Sequence, residues 1–404
     1  MARFGDGLAV DSDLARAADF AVEQALAPLS GQRPDLLCVF VCGEDPEAVE
    51  AAGLRAMKSS EAGITLGCSA GGVIGGGRGV EMSRAVSVWA ACLPDARCTP
   101  FQLESVPDQG SMAVTGLPDR HDDDAVAVLF ADPHTFPADL FVQRSNDFLS
   151  GLPLIGGMAS GPLGRGSMRL FVDGRPVDHG AVGVLLGGPV AARTVVSQGC
   201  RPIGPPMVVT RAEENVLLEL AGTFALSKLE QVIQELSPED RQVVAQGLHI
   251  GVAMDEYAQE HERGDFLIRP VMGADRERDA IAIGDIVEVG RTVRFQVRDA
   301  AGADQDLEQL FSRFESEAGP AEGALLFSCN GRGTAMFPSA DHDVLAVRSG
   351  LGISGVGGFF AGGEIGPVGS RNYLHGFTAS ILAFGSGASS ERGAGSGADG
   401  GPAE

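Results

Sequence analysis

Short apolar runs recur along this chain, each bounded by glycines or charged clusters, and they alternate with stretches whose apolar residues fall three or four positions apart. The first such stretch, residues 14–29, carries Ala, Phe, Val and Leu at helical spacing behind Ser12 and Asp13, so it predicts an amphipathic helix with a ready N-cap. Residues 35–42 then read as a buried strand and 45–57 as a helix. A strand at 64–67 enters the loop GCSAGGVIGGG, and a strand at 85–93 follows. The order is strand, helix, strand, glycine loop, strand.

The same order returns twice. Its second copy has a strand at 126–131, a helix at 138–149, a strand at 154–155 running into GGMASGPLG, and strands at 168–172 and 181–186. The third begins with a strand at 324–327 and closes with a β-rich run at 377–384. Spacing supports true repetition: Phe40 to Gly67 and Phe130 to Gly157 are both 27 residues, and Phe327 to Gly358 is 31. Each copy also keeps two glycines four apart, Gly67/Gly71, Gly157/Gly161 and Gly358/Gly362. Between the second and third copies the pattern predicts helices at 214–220, 226–236 and 307–317, and strands at 249–254, 266–271, 280–283 and 292–297.

Helices alternating with strands predict an α/β protein, while strands joined by tight turns require antiparallel pairs, so the sheets are mixed. The expectation is two related halves built from the repeated unit. Residues 1–30 form a helix packed on the first half, 31–197 one domain and 198–385 the other, with the junction at the proline-rich RPIGPP. Residues 386–404, rich in Gly and Ser, predict a flexible tail.

Composition narrows the function classes. With 44% hydrophobic and 21% charged residues the 404-residue chain is globular, and its 57 glycines point to small-residue packing and many loops. A net charge of −24, with Lys58 and Lys228 the only lysines, leaves no basic block to neutralise phosphates. Nucleic acid and anionic membranes are thereby excluded as partners. No basic leader precedes an apolar stretch and no run approaches a membrane span, so a cytoplasmic protein is expected. Seven cysteines without a CxxC pair fit reduced thiols. Arginine far outnumbers lysine and alanine is abundant, as in GC-rich bacterial genomes.

Unusual residues concentrate between positions 324 and 385. The run LLFSCNGRG delivers Cys329, Asn330 and Arg332 into a glycine turn, and GGFFAGGEIGPVGSRNYLHGF carries Glu364, Asn372 and His375. Loops at strand ends are where α/β sheets open their crevices, so these six side chains are expected to line one pocket for a small polar or anionic ligand. Arg332 would complement a negative charge and Glu364 an amine. A cation near Cys329 would also favour thiolate, which makes a cysteine-dependent hydrolase or transferase, with His342 or His375 as base, the alternative.

Other motifs weaken on inspection. Gly67-Cys68-Ser69-Ala70-Gly71 matches a nucleophile elbow, but VIGGGRG follows where a helix is needed, so a structural turn is expected. No glycine loop ends in GK[ST], which disfavours nucleotides. Asp341-His342-Asp343 resembles a metal cluster, yet adjacent residues do not converge on one ion, and helix N-capping by either aspartate is the expectation. Neither metal nor cofactor is expected.

The CNGRG turn, the GGFFAGGEIGPVGSRNYLHGFTAS run, ITLGCSAGGVIGGG and SQGCRPIGPP together resemble the FIST family over roughly residues 34–384. Its N- and C-terminal domains occur together in bacterial proteins and beside F-box modules in some eukaryotic ones. The resemblance implies an intracellular sensory protein in signal transduction that binds a small ligand such as an amino acid. Lacking an output segment of its own, it would signal through a separate protein.

Overall fold

The structure is a computed structural model, and it describes residues 2–385 apart from 109–110, 162–163, 165, 259–260 and 262. The predicted tail, 386–404, lies outside the described residues.

The α/β class with mixed sheets and repeated units is borne out. In the first unit the buried strand Leu36–Cys42 leads through the helix Pro46–Ser60 to the parallel strand Ile64–Ala70, and Ala85–Cys92 returns antiparallel beside the first strand. The second unit repeats this with Asp124–Ala131, helix Ala138–Phe148, Leu154–Met158 and Ala181–Gly187. The third uses Ala321–Cys329, helix His342–Leu351, Gly355–Ala361 and Thr378–Gly385. Each return strand takes one further antiparallel neighbour: Arg3–Val10, Arg97–Asp108 and Ala192–Gln198 respectively.

A β-hairpin follows the parallel pair in each unit, and each hairpin joins the sheet of a different unit. Gly72–Gly75 with Arg78–Glu81 extends the third unit through Gly358↔Ile74 and Phe359↔Val73. Leu170–Val172 with Arg175–Val177 extends the first through Leu170↔Cys68. Glu364–Val368 with Arg371–His375 extends the second through Gly157↔Glu364. The exchange is cyclic. At its centre one phenylalanine from each first strand meets the others: Phe40 and Phe130 rings lie 5.4 Å apart, and Phe130 and Phe327 rings 5.5 Å apart. Phe359 packs among them, 5.1 Å from Phe40 and 5.4 Å from Phe130. Edge-to-face and offset contacts at such distances suit the aromatic quadrupole.

The repeated glycine has a steric reason. A Cβ on Gly67 would lie 2.1 Å from the Val39 carbonyl oxygen of the parallel neighbour, and one on Gly358 would lie 1.7 Å from that of Leu326. The second unit meets the same constraint at Gly156, 2.0 Å from Leu129 O, rather than at Gly157. Gly157 instead leaves room for the Phe359 ring and the Ala361 methyl.

Between Ala192–Gln198 and the helix Ala300–Ala318 the chain builds a separate closed sheet. Its strands run Thr292–Arg298, Met207–Glu213, Val216–Leu220, Ala280–Ile283, Phe266–Asp275 and Leu248–Ala253, and the last pairs back to the first. Ile250, Val293, Phe295 and Ile281 fill it, and the helix Ala225–Glu235 caps it.

Two local expectations change. Residues 216–220 are a strand, because Glu214 adopts a left-handed φ of 51° and turns the chain straight back onto Met207–Glu213. The strand Arg3–Val10 was hidden by Gly5 and Gly7, which are there because the helix Leu14–Leu26 crosses close behind. A Cβ on either glycine would meet the helix carbonyls of Ala25 or Ala21 at 2.1 or 2.2 Å.

Candidate functional site

The strand Ala321–Cys329 ends in a tight turn, closed by Arg332 N–H donating to Cys329 O at 2.9 Å. Gly331 is needed because the Phe377 ring lies against it, 2.6 Å from where a Cβ would stand. The turn sends the Arg332 side chain inward. Fully buried, its guanidinium grips Asp343 with two bonds of 2.7 Å, Nε to Oδ2 and Nη2 to Oδ1, and its Cζ lies 5.2 Å from the Phe337 ring centroid.

Asp343 stands in the first turn of the helix His342–Leu351. It also accepts from Ser328 Oγ at 2.6 Å and contacts His342 Nδ1 at 2.9 Å. Burial alone would raise its carboxyl, but the Arg332 charge, with His342 and Ser328 donating, holds it well below the ordinary carboxylate range. Burial likewise opposes protonation of His342, yet Asp343 on one side and Asp304 on the other raise its pKa. The expected N-capping by Asp341 or Asp343 gives way to this network, and Asp341 Oδ1 instead accepts from Gly79 N at 2.8 Å.

Glu364 begins the hairpin strand Glu364–Val368 and is fully buried. Its Oε2 accepts from Thr378 N at 3.1 Å and Thr378 Oγ1 at 2.8 Å. Burial pushes the Glu364 carboxyl up to about 8, against the bonds from Thr378 and the nearby Cys329 and Arg332. Its Oε1 and Arg332 Nη1 are both buried without a hydrogen-bond partner. Gly199 leaves the space for Nη1, since a Cβ there would stand 2.9 Å from it and 2.6 Å from Phe377 O.

The buried acid gives a signed pH prediction. Between the unfolded value near 4.5 and the folded value of about 8, native Glu364 holds a proton that the unfolded chain has released. Its contribution to stability therefore falls as pH rises through this window, with a slope approaching about 1.4 kcal/mol per pH unit. Urea unfolding of Glu364→Gln from pH 5 to 8 should show a flatter profile than wild type and the larger relative gain at pH 8. Parallel profiles would mean that Glu364 titrates normally.

Of the six residues predicted to share a pocket, the structure brings Cys329, Arg332 and Glu364 together. Asn330 is exposed at the turn. Asn372 staples the hairpin to the second unit: Oδ1 accepts from Leu154 N at 2.8 Å and Nδ2 donates to Leu152 O at 3.0 Å. His375 turns Nε2 to Gly366 O at 2.9 Å, and burial pushes it down to about 4. Arg332 does not activate Cys329 as expected, because its charge is matched by Asp343, while burial and the Glu364 carboxyl push the thiol well above its ordinary value. None of the seven cysteines, all of them among the described residues, forms a disulfide. Ser69 of the elbow motif lies in the strand Ile64–Ala70, its Oγ accepting from Arg169 N at 3.1 Å, so the motif is neither elbow nor turn. No helix among the described residues is long and apolar enough to cross a membrane.

Sequence reasoning missed Gly199, Thr378 and Phe377. The SQGC and HGF strings hold them, but neither pattern announces that Phe377 takes a left-handed φ of 61° and that its oxygen receives Gly199 N at 2.8 Å.

Comparison with known proteins agrees with this architecture. Residues 35–223 match the FIST N domain and 225–367 the FIST C domain. An uncharacterized protein of Mycobacterium tuberculosis is 42% identical over 387 residues, covering 95% of this chain and 99% of that protein. One of Mycobacterium bovis is 40% identical over 385 residues, covering 95% and 98%. With both domains matched in order, the chain belongs to the FIST family, whose domains are associated with sensory roles in signal transduction.

Proposed function

We propose that this chain is a small-molecule sensor that holds a polar metabolite, such as an amino acid, against Cys329, Arg332 and Glu364 and signals through a separate protein. The observation that carries the reading is the pair of orphaned atoms, Arg332 Nη1 and Glu364 Oε1, buried at one site. Buried polar groups are ordinarily satisfied, so an unpaired donor beside an unpaired acid oxygen favours a missing partner with an acceptor and a donor. A ligand amine would take the Glu364 proton and leave a carboxylate beside it; a ligand carboxylate would accept from Nη1.

The ion network supplies a route outward. Arg332 is joined through Asp343 and His342 to Asp304 on the helix Ala300–Ala318, so a shift of the guanidinium would reach an exposed carboxylate. A partner that reads that helix would carry the signal onward.

Thermal shift against amino acids and small organic acids tests the proposal. A true ligand at about a hundred times Kd adds roughly 2.7 kcal/mol to stability. The shift should vanish in Glu364→Gln. A panel without a hit, or a hit indifferent to Glu364→Gln, rejects the site.

A further inference from the structure

A second group of orphaned polar atoms lies at the seam between the closed sheet and the third unit, on side chains other than Cys329, Arg332 and Glu364. His249 and Gln296 are register partners across the strands Leu248–Ala253 and Thr292–Arg298, and both are buried. Neither Gln296 Nε2, Gln296 Oε1 nor His249 Nδ1 has a hydrogen-bond partner. Gln198, the last residue of Ala192–Gln198, is also buried and shares the neighbour Phe266 with Gln296 across Gly251. Its Nε2 donates to Phe266 O at 3.0 Å and Gly264 O at 3.1 Å, while its Oε1 is unpartnered.

Two residues tie these groups into one place. A Cβ on Gly251 would stand 2.9 Å from Gln296 Nε2 and 2.7 Å from Phe266 Cβ, so the bare glycine lets the Gln296 amide lie flat against the sheet next to Phe266. Phe377, held at its left-handed φ, sets its ring edge-on to His249 with centroids 4.1 Å apart. A primary amide buried with donor and acceptor both idle carries its full desolvation penalty, and because buried polar groups are ordinarily satisfied the idle pair calls for a partner.

The geometry points to a second binding site at this seam, which takes an uncharged ring bearing a cis-amide edge through Gln296. A cis amide presents N–H and C=O side by side, and a primary carboxamide is its complement: Oε1 accepts the N–H while Nε2 donates to the C=O. Gln198 Oε1 accepts from a second ring N–H, and the His249–Phe377 pair, in edge contact with each other, forms one wall. The ionic groups around the seam already have hydrogen-bond partners, which leaves the amides to define the ligand. Arg298 Nη1 donates to Ala335 O, and Asp306 takes both Ser197 Oγ and Gln198 N.

Uracil and 2-pyrrolidone are suitable probes, with N-methylpyrrolidone, which lacks the N–H, and acetate as controls, all measured by thermal shift on the full chain. Uracil and 2-pyrrolidone should raise the melting temperature and the controls should not. Gln296→Met should abolish the shift while leaving the ligand-free melting temperature unchanged or higher, and Cys329→Ser should retain it. The proposal is overturned if neither probe shifts melting or if N-methylpyrrolidone does so equally. It also fails if the shift survives Gln296→Met, or if that variant melts lower without ligand, since the amide would then have an internal partner. Loss of the uracil shift in Cys329→Ser would move the ligand to the other site and overturn it as well.

Discussion

Replacing Arg332 with methionine is expected to destabilise the protein by about 3–5 kcal/mol, because it leaves Asp343 charged and buried without its counter-ion. Ser328 and His342 still donate to Asp343, which bounds the loss. The double variant Arg332→Met/Asp343→Leu removes both charges and should recover much of the stability, since burying an ion pair gains little over apolar residues of similar volume. Urea unfolding of the four proteins in the cycle measures the coupling. A loss in the double variant equal to the sum of the two single losses would mean that the two side chains act independently, contrary to the paired bonds between them.

Truncating Phe130 to alanine should cost a comparable amount, about 3–5 kcal/mol, for a different reason. Its ring is fully buried and touches Phe40, Phe327 and Phe359, so removal opens a cavity where all three units meet. The surrounding strands are fixed by hydrogen bonds on both sides and have little freedom to collapse into it. Phe20, half-exposed on the helix Leu14–Leu26, is the control, and Phe20→Ala should change stability by no more than about 0.5 kcal/mol. A small effect at Phe130 would mean that the centre repacks and is not shared by the units.

The fold was legible where one period dominated. Leu36–Cys42 and Ala181–Gly187 are buried on every residue, and such runs between glycines read as strands from sequence alone. Glycine obscured the rest. Gly5, Gly7, Gly67 and Gly72 sit inside strands because backbone or a ring approaches them, and without the partner in view they read as loop. The site was legible in part for a related reason. Charged residues in an apolar stretch, Arg332 and Glu364, stand out because burying them demands a partner. Which partner is a matter of folding: Asp343 was read as a cap, and Gln296 and His249, in an ordinary alternating strand pattern, gave no sign that the seam would bury them.

The cyclic exchange of hairpins bears on how the chain can be made. As synthesis proceeds from the N-terminus, Leu154–Met158 emerges long before Glu364–Val368, the strand that covers its open edge. The first unit's hairpin, likewise, waits for Gly355–Ala361. Until the last stretch leaves the ribosome, two β edges stand unpaired, and such edges invite pairing with other chains. Prematurely terminated products should therefore be sticky rather than folded, and expression should succeed or fail with the integrity of the C-terminal hairpin.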